Sequence, residues 1–313
     1  MPVPHLHPDM QVLLDAREAA RPGDLEDARR RWREYTARLS RPAPAGLQVK
    51  DRDVAVAHRS VRVRLYGHRD SAAPRPWLLY IHGGGFVKGD LDTSHAIAWG
   101  YAQDTGAVVV SVDHRLAPEH PWPAPLDDCH DVLLAVVRQP LAFGVDPHRV
   151  AVAGESSGGF LAAALAIRLR DEGGPRLAAQ VIVGSGGGTP AGSRSRQEFG
   201  SGVPAGAREL DAFYEALFAG RDPRTLPYAW PIDHPDLRGL PPAWVHAAEI
   251  DPTRDDARAY AARLARVGND VVYREARGML NGFLRARFTG AAARREYEAV
   301  CGFLRARLQN CAR

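Results

Sequence analysis

The regular alternation of short apolar runs with stretches of helical periodicity constrains the fold of this chain more than any other feature. The runs at 77–81 and 108–112 are apolar almost without interruption, as expected for parallel strands that are covered on both faces. Residues 126–138 and 254–267 instead place their apolar side chains at helical spacing. This order of elements predicts a layered α/β domain, with helices on both faces of a sheet.

Eight apolar runs predict a mostly parallel sheet of eight strands within a main domain at 46–313. The first two runs alternate apolar and polar residues, so we expect them to form a hairpin at the sheet edge. The eight predicted strands lie near 53–57, 61–66, 77–81, 107–112, 149–153, 179–184, 243–248 and 270–274.

Two segments lie outside this pattern. Residues 1–45 hold two helix-like stretches, at about 9–20 and 24–39, and are predicted to form N-terminal cap helices. Residues at about 186–240 interrupt the later strands, with one amphipathic helix near 208–219. Because insertions between sheet elements commonly cover a functional site, the two segments together predict a helical cap.

The charge pattern argues against a nucleic-acid-binding protein. The net charge is +4, and only two of the 41 basic residues are lysines, Lys50 and Lys88. The arginines are spread along the chain among acids, as at 29–34, which predicts a solvated helix face rather than a phosphate-binding stripe. No nucleic-acid partner is therefore expected.

The hydropathy and the cysteines indicate a protein of a reducing compartment. No apolar run reaches 18 residues, so no membrane-spanning helix is expected. Residues 1–10 lack the apolar centre of a signal peptide. Cys129, Cys301 and Cys311 are few and widely spaced, which predicts a cytoplasmic protein without a disulfide framework.

The segment 154–158 reads Gly-Glu-Ser-Ser-Gly and carries the strongest chemical signal. It follows an apolar strand and precedes a helical stretch, which is the context that a nucleophile elbow requires. We therefore predict that Ser156 is a nucleophile, with small neighbours that permit its strained backbone. A tight turn without chemistry is the alternative.

The segment 82–85 reads His-Gly-Gly-Gly directly after a predicted strand. Three glycines allow backbone N–H groups to converge on one point, as an oxyanion hole demands. We expect the N–H groups of Gly84, Gly85 and Ser157 to supply it, while His82 and Gly83 support the loop. A flexible glycine linker is the alternative.

Two further polar residues follow later strands. Asp251 opens the segment Asp-Pro-Thr-Arg-Asp-Asp, where it is either a catalytic acid or a helix cap. Asn281 lies in Gly-Met-Leu-Asn-Gly-Phe. Ser156, Asp251 and Asn281 follow one another along the chain in the order in which α/β-hydrolases carry their serine, acid and base.

Together these segments resemble the hormone-sensitive-lipase-like branch of the α/β-hydrolase superfamily, over nearly the whole chain. The stretch 113–119 adds a further family motif, with His114 where tyrosine is usual, and the glycines at 184–188 depart from the family pattern. The resemblance implies an α/β-hydrolase fold and a serine carboxylesterase acting on small-molecule esters of short to medium acyl chains. It implies the triad acid at Asp251, no cofactor and no metal; a homodimer is possible.

Asn281 stands where the family carries the histidine that acts as general base. An amide does not take up the serine proton near neutral pH, so the sequence predicts a crippled esterase. A silent ligand-binding protein and an acyltransferase or amidase on the same scaffold remain alternatives. We expect Asn281 to lie near Ser156 and Asp251, and to contact Asp251 more readily, with a gap beside the serine. His95, His120, His234 and His246 are not expected to replace the base.

Overall fold

A computed structural model describes residues 5–17, 23–68, 74–188, 193–200 and 206–309. Its centre is one sheet in the order β1-β2-β4-β3-β5-β6-β7-β8. β1 and β2 form an antiparallel hairpin at one edge, β2 is antiparallel to β4, and the other neighbours are parallel. The strands are β1 (Leu47–Val56), β2 (Arg59–His68), β3 (Arg75–Ile81), β4 (Val108–Val112), β5 (Val145–Glu155), β6 (Leu177–Val183), β7 (Ala243–Ile250) and β8 (Val271–Leu280).

The predicted mostly parallel sheet and its edge hairpin are confirmed. Strand β4 is buried along its whole length, because helices cover both of its faces. Strand β8 is longer than predicted, since it extends beyond residue 274 to Leu280. As an edge strand it carries charged side chains that pair across the surface, such as Glu275 with Arg258 at 2.7 Å, and these charges interrupt the apolar pattern.

Ten α-helices are described in these residues, and they form layers on both faces of the sheet. One face packs against α3 and α10 together with parts of the N-terminal segment, and the other against α4, α6 and α9. The helices are α1 (Gln11–Asp15), α2 (Leu25–Leu39), α3 (His95–Thr105), α4 (Ala124–Arg138), α5 (Pro140–Phe143), α6 (Ser157–Asp171), α7 (Arg194–Glu198), α8 (Ala207–Phe218), α9 (Arg254–Arg266) and α10 (Ala291–Gln309).

The two segments outside the sheet contain helices, as predicted. Helix α2 begins after Asp24, whose carboxylate accepts from the N–H of Asp27, and α8 matches the expected amphipathic helix. Of the predicted helix at 9–20, residues 18–20 lie outside the described part, and α1 covers only its centre. Within the described ranges, no helix has the length and apolarity needed to cross a membrane.

The arginine-rich stretch of α2 is only partly the solvated face that was expected. Arg30 and Arg33 are exposed, but Arg29 and Arg31 are half-buried. Arg29 reaches across to Glu119 at 2.7 Å and to the carbonyl of Val87 at 2.8 Å. The prediction failed there because α2 lies on the main domain, to which Arg29 ties it; Arg31 instead bonds Asp27 of the same helix.

Candidate active site

Ser156 lies in the sharp turn between β5 and α6. Its backbone has φ 55° and ψ −122°, a conformation that non-glycine residues adopt only where the surroundings enforce it. A side chain at Gly154 would collide with the carbonyl of Gly158, and one at Gly158 with the carbonyl of Ile81. The turn therefore exists only because both positions lack a Cβ, and it presents the serine at the carboxyl ends of the strands.

The loop that follows β3 lies directly against this turn. A Cβ at Gly83 would be 2.7 Å from the carbonyl oxygen of Glu155 and 3.3 Å from the Cβ of Ser156. Gly84 has φ +136°, which L-residues with side chains rarely adopt. The N–H groups of Gly84, Gly85 and Ser157 have no acceptor among the described residues. They are free to bind a ligand oxygen.

His82 is buried beneath this loop and has no access to the cavity. Its Nδ1 bonds the carbonyl of Gly83 at 3.1 Å, and its ring stacks on His114 with centroids 4.2 Å apart. Burial, helped by His114, lowers the pKa of His82 to about 3. The ring therefore stays neutral at physiological pH, which suits a residue that supports the loop.

Asp251 follows β7 and is buried, with an exposed fraction of 1%. Its Oδ1 accepts from the N–H of Thr253 at 2.7 Å and from the Thr253 hydroxyl at 2.8 Å. Burial raises the pKa of Asp251, while hydrogen bonds from Thr253 and Asn281 oppose that shift. The Oδ1 of Asp251 is thus held by Thr253, at the start of α9, and its Oδ2 faces Asn281.

Asn281 follows β8, as expected, and contacts Asp251. Its Nδ2 donates to Oδ2 of Asp251 at 2.7 Å and to the carbonyl of Gly184 at 3.1 Å. No hydrogen bond joins it to Ser156 among the described residues, although both side chains line the same cavity. The amide Nδ2 is therefore held by two acceptors, neither of which is the serine.

No histidine of the described residues lines that cavity. His246 bonds Glu296 at 3.1 Å, His95 bonds the hydroxyl of Tyr66 at 3.1 Å, and His234 bonds the carbonyl of Asp236 at 2.7 Å. The hydrogen bonds of these three histidines therefore lie outside the cavity.

The cavity has a volume of about 350 Å³, within the range of small-molecule sites. The N-terminal segment and α8 both line it. The sequence predicted a helical cap from these segments but not which of their side chains reach the cavity, although the aromatic pair at positions 32 and 35 of a basic helix was a signal. Its lining residues are Arg17, Ala28, Arg31, Trp32, Tyr35, Gly83, Gly84, Gly85, Lys88, Glu155, Ser156, Glu209, Phe213, Asn281, Gly282 and Arg285.

Metal ligands are not assembled anywhere in the described ranges: no cluster of three or more histidine, cysteine, aspartate or glutamate side chains has suitable positions. Cys129 and Cys301 are buried as free thiols. Burial raises the pKa of Cys301 to about 12, so this thiol is inert as a nucleophile at neutral pH.

Comparison with known proteins relates the chain to ester hydrolases. Residues 78–285 match the model of a family described as the alpha/beta hydrolase fold. A carboxylesterase of Mycobacterium tuberculosis is 34% identical over 245 residues, which cover 76% of each chain. An ethyl acetate hydrolase of Pseudomonas putida is 33% identical over 297 residues, covering 90% of this chain and 92% of that protein.

Solved structures of esterases superpose over almost the full length. A thermostable esterase from Pseudomonas putida gives a TM-score of 0.91 at 27% identity and covers 99% of both chains. A hyperthermophilic esterase from the archaeon Pyrobaculum calidifontis gives 0.88 at 32% identity, covering 96% of this chain and 98% of that one.

Proposed function

This chain belongs to the alpha/beta hydrolase fold family and has carboxylesterases among its relatives. From this premise we propose that it carries the active site of a serine carboxylesterase in which the histidine that acts as general base is replaced by Asn281. The observation that carries the proposal is the position of Ser156 and Asn281 on one cavity, with Asn281 bonded to Asp251. Small-molecule esters of short to medium acyl chains are the proposed substrates, in keeping with the ethyl acetate hydrolase among its relatives.

In the proposed reaction the Oγ of Ser156 attacks the ester carbonyl carbon and forms a tetrahedral intermediate. The negative oxygen is bound by the N–H groups of Gly84, Gly85 and Ser157. The carbon–oxygen bond to the alcohol then breaks, and the alcohol leaves with the proton that the serine hydroxyl gave up. Water attacks the acyl-serine, which releases the carboxylic acid and restores the hydroxyl.

The step that fails in this chain is the removal of the serine proton. The Nδ2 of Asn281 is a donor already engaged by Asp251 and Gly184, and an amide has no basic lone pair. In a serine protease, loss of the base costs on the order of 10⁶ in turnover. A rate of roughly 10³–10⁴ over water survives from the oxyanion hole and binding.

Restoring the base tests the proposal. We expect Asn281→His to raise kcat/KM for p-nitrophenyl acetate and butanoate by several orders of magnitude, because Asp251 already lies 2.7 Å from the side chain at 281. The measurement is the initial rate of nitrophenolate release, in parallel with the unchanged protein.

The double variant Asn281→His/Ser156→Ala is the matched control, and it should return the rate to background. Circular dichroism of both variants establishes that they are folded. A folded Asn281→His variant that stays at background would refute the silenced-esterase proposal.

A ligand-binding role is the second candidate, and the same amide favours it. Thr253 and Asn281 both donate hydrogen bonds to Asp251. These bonds hold the shape of the site without turnover, so an ester can bind and remain uncleaved. Product analysis of the Asn281→His variant with a competing alcohol or amine separates hydrolase from acyltransferase, and an amide substrate tests for amidase activity.

A further inference from the structure

The wall of the active-site cavity carries more positive than negative charge. Four basic residues line it, from three parts of the chain: Arg17, Arg31, Lys88 and Arg285. The acidic residues of the described lining are Glu155 and Glu209. A neutral ester has no use for such a surplus of charge in a half-enclosed space.

Two of the four basic groups are neutralised within the wall. Arg285 donates to Oε2 of Glu155 at 3.2 Å and to the carbonyl of Thr93 at 2.8 Å. Lys88 pairs with Glu209 at 3.2 Å and lies over the ring of Phe213, 4.8 Å from its centroid. Both acids of the lining are thereby used, and neither cation is available for a ligand.

The other two basic groups belong to the N-terminal segment and keep unused donors. Arg31 donates through Nη1 to Asp27, while Arg30, which also donates to Asp27, has a second acid in Glu34. Arg17 has no carboxylate partner among the described residues, and its guanidinium lies over the ring of Tyr35 at 5.1 Å. A guanidinium that stacks on an aromatic face retains its in-plane N–H groups for a planar anion.

We infer that the cavity selects esters that carry a carboxylate, which Arg17 and Arg31 bind while the ester carbonyl lies at Ser156. The inference rests on the proposed function for the position of the ester. A carboxylate fits because a guanidinium binds its two oxygens side by side. After the two internal pairs Arg17 and Arg31 remain, and once Asp27 is counted against Arg31 a single negative charge matches the remaining surplus.

A matched pair of ligands tests the inference on the protein as it stands. Monomethyl glutarate carries a carboxylate, whereas dimethyl glutarate has the same chain and no charge. Calorimetric titration should give a Kd at least about 10-fold lower for the monoester, since a charge-assisted pair in a partly enclosed site contributes this much or more. Equal affinities for the two esters, or no binding of either, would overturn the inference.

Variants assign the preference to the two arginines. Arg17→Gln/Arg31→Gln should abolish the preference for the monoester and leave the affinity for dimethyl glutarate unchanged. Arg266→Gln is the control, because Arg266 is exposed at the far end of α9 and does not line the cavity. A preference that persists in the double variant refutes the assignment.

Binding and turnover separate this inference from the proposed function. If Asn281→His hydrolyses neither ester but the monoester still binds preferentially, the esterase proposal fails and the anion selectivity stands. If Asn281→His hydrolyses both esters with equal kcat/KM, the esterase proposal stands and the selectivity fails.

Discussion

At the scale of single residues, Asn281 keeps a hydrogen bond to Asp251, while on the proposed function it removes the general base. Its Nδ2 makes the hydrogen bond to Asp251 that a histidine ring nitrogen would make, so the buried carboxylate keeps a partner. The part of the ring that would reach Ser156 has no counterpart in the shorter amide. On the proposed function, asparagine at 281 therefore removes the general base, while Asp251 keeps its hydrogen-bond partner.

A base supplied from solution should compensate for the missing ring. In Asn281→Ala the space beside Ser156 is larger, and we expect added imidazole to accelerate hydrolysis of p-nitrophenyl acetate with saturation, because a bound imidazole acts as the general base. The rate is measured against imidazole concentration after subtraction of the uncatalysed reaction.

The variant Asn281→Ala/Ser156→Ala serves as its control and should show only the solution reaction. A linear dependence on imidazole that is identical in the two variants would mean that imidazole acts without binding beside the serine.

At the scale of elements, a buried ion pair ties the end of β5 to the short helix that follows Asn281. Arg285 lies in the 3-10 helix Phe283–Phe288 and donates to Glu155, the residue before the nucleophile. The two side chains are exposed by only 6% and 4%. The pair thus holds the turn at Ser156 and the turn at Asn281 in a fixed position relative to each other.

Removing only the arginine of this pair should lower the free energy of unfolding more than removing both charges. Arg285→Met leaves the carboxylate of Glu155 buried without its cation, and we expect the free energy of unfolding to fall by about 3–5 kcal/mol. The double variant Glu155→Gln/Arg285→Met should lose less, because no uncompensated charge remains. Urea denaturation followed by circular dichroism measures both, and equal losses would contradict this interpretation.

The elements also show where sequence patterns stop being informative. The parallel strands and the glycine-rich turns are readable because burial on both faces and close backbone approach restrict the residue types locally. The contribution of Arg17 and Trp32 to the cavity depends on how the N-terminal segment packs on the main domain, across a long stretch of sequence. No local periodicity records such a contact, so the sequence predicted a helical cap and the turn at Ser156 but not the side chains of the cap that line the cavity.

At the scale of the whole molecule, stability should depend on pH through Asp113, which follows β4. Burial, and then the nearby carboxylates of Asp90 and Asp92, raise the pKa of Asp113 to about 6, although Arg62 and Arg64 oppose the shift. The ordinary pKa of an aspartate side chain is 3.8, which serves as the reference for the unfolded chain. Because the folded value is the higher one, Asp113 favours folding when protonated, and that contribution is lost as the pH rises from about 4 to above 6.

Replacing Asp113 by asparagine should therefore stabilise the protein at neutral pH. We expect the Tm of Asp113→Asn to exceed that of the unchanged protein by about 2–4 °C at pH 7.5, with a smaller difference at pH 4.5. Thermal unfolding at the two pH values is the measurement. A gain that is larger at the acidic pH would reverse the sign and refute the assignment.

The way Asp251 and Gly184 hold the side chain at 281 has an evolutionary consequence. The codons for asparagine and histidine differ only in their first base, so a single nucleotide change separates the two states of this site. Asp251, the acceptor that a histidine at this position would use, already accepts a hydrogen bond from the side chain at 281. If the proposed function holds, a lineage carrying this gene stands one mutational step from an active esterase, and selection for ester use should recover the histidine codon first.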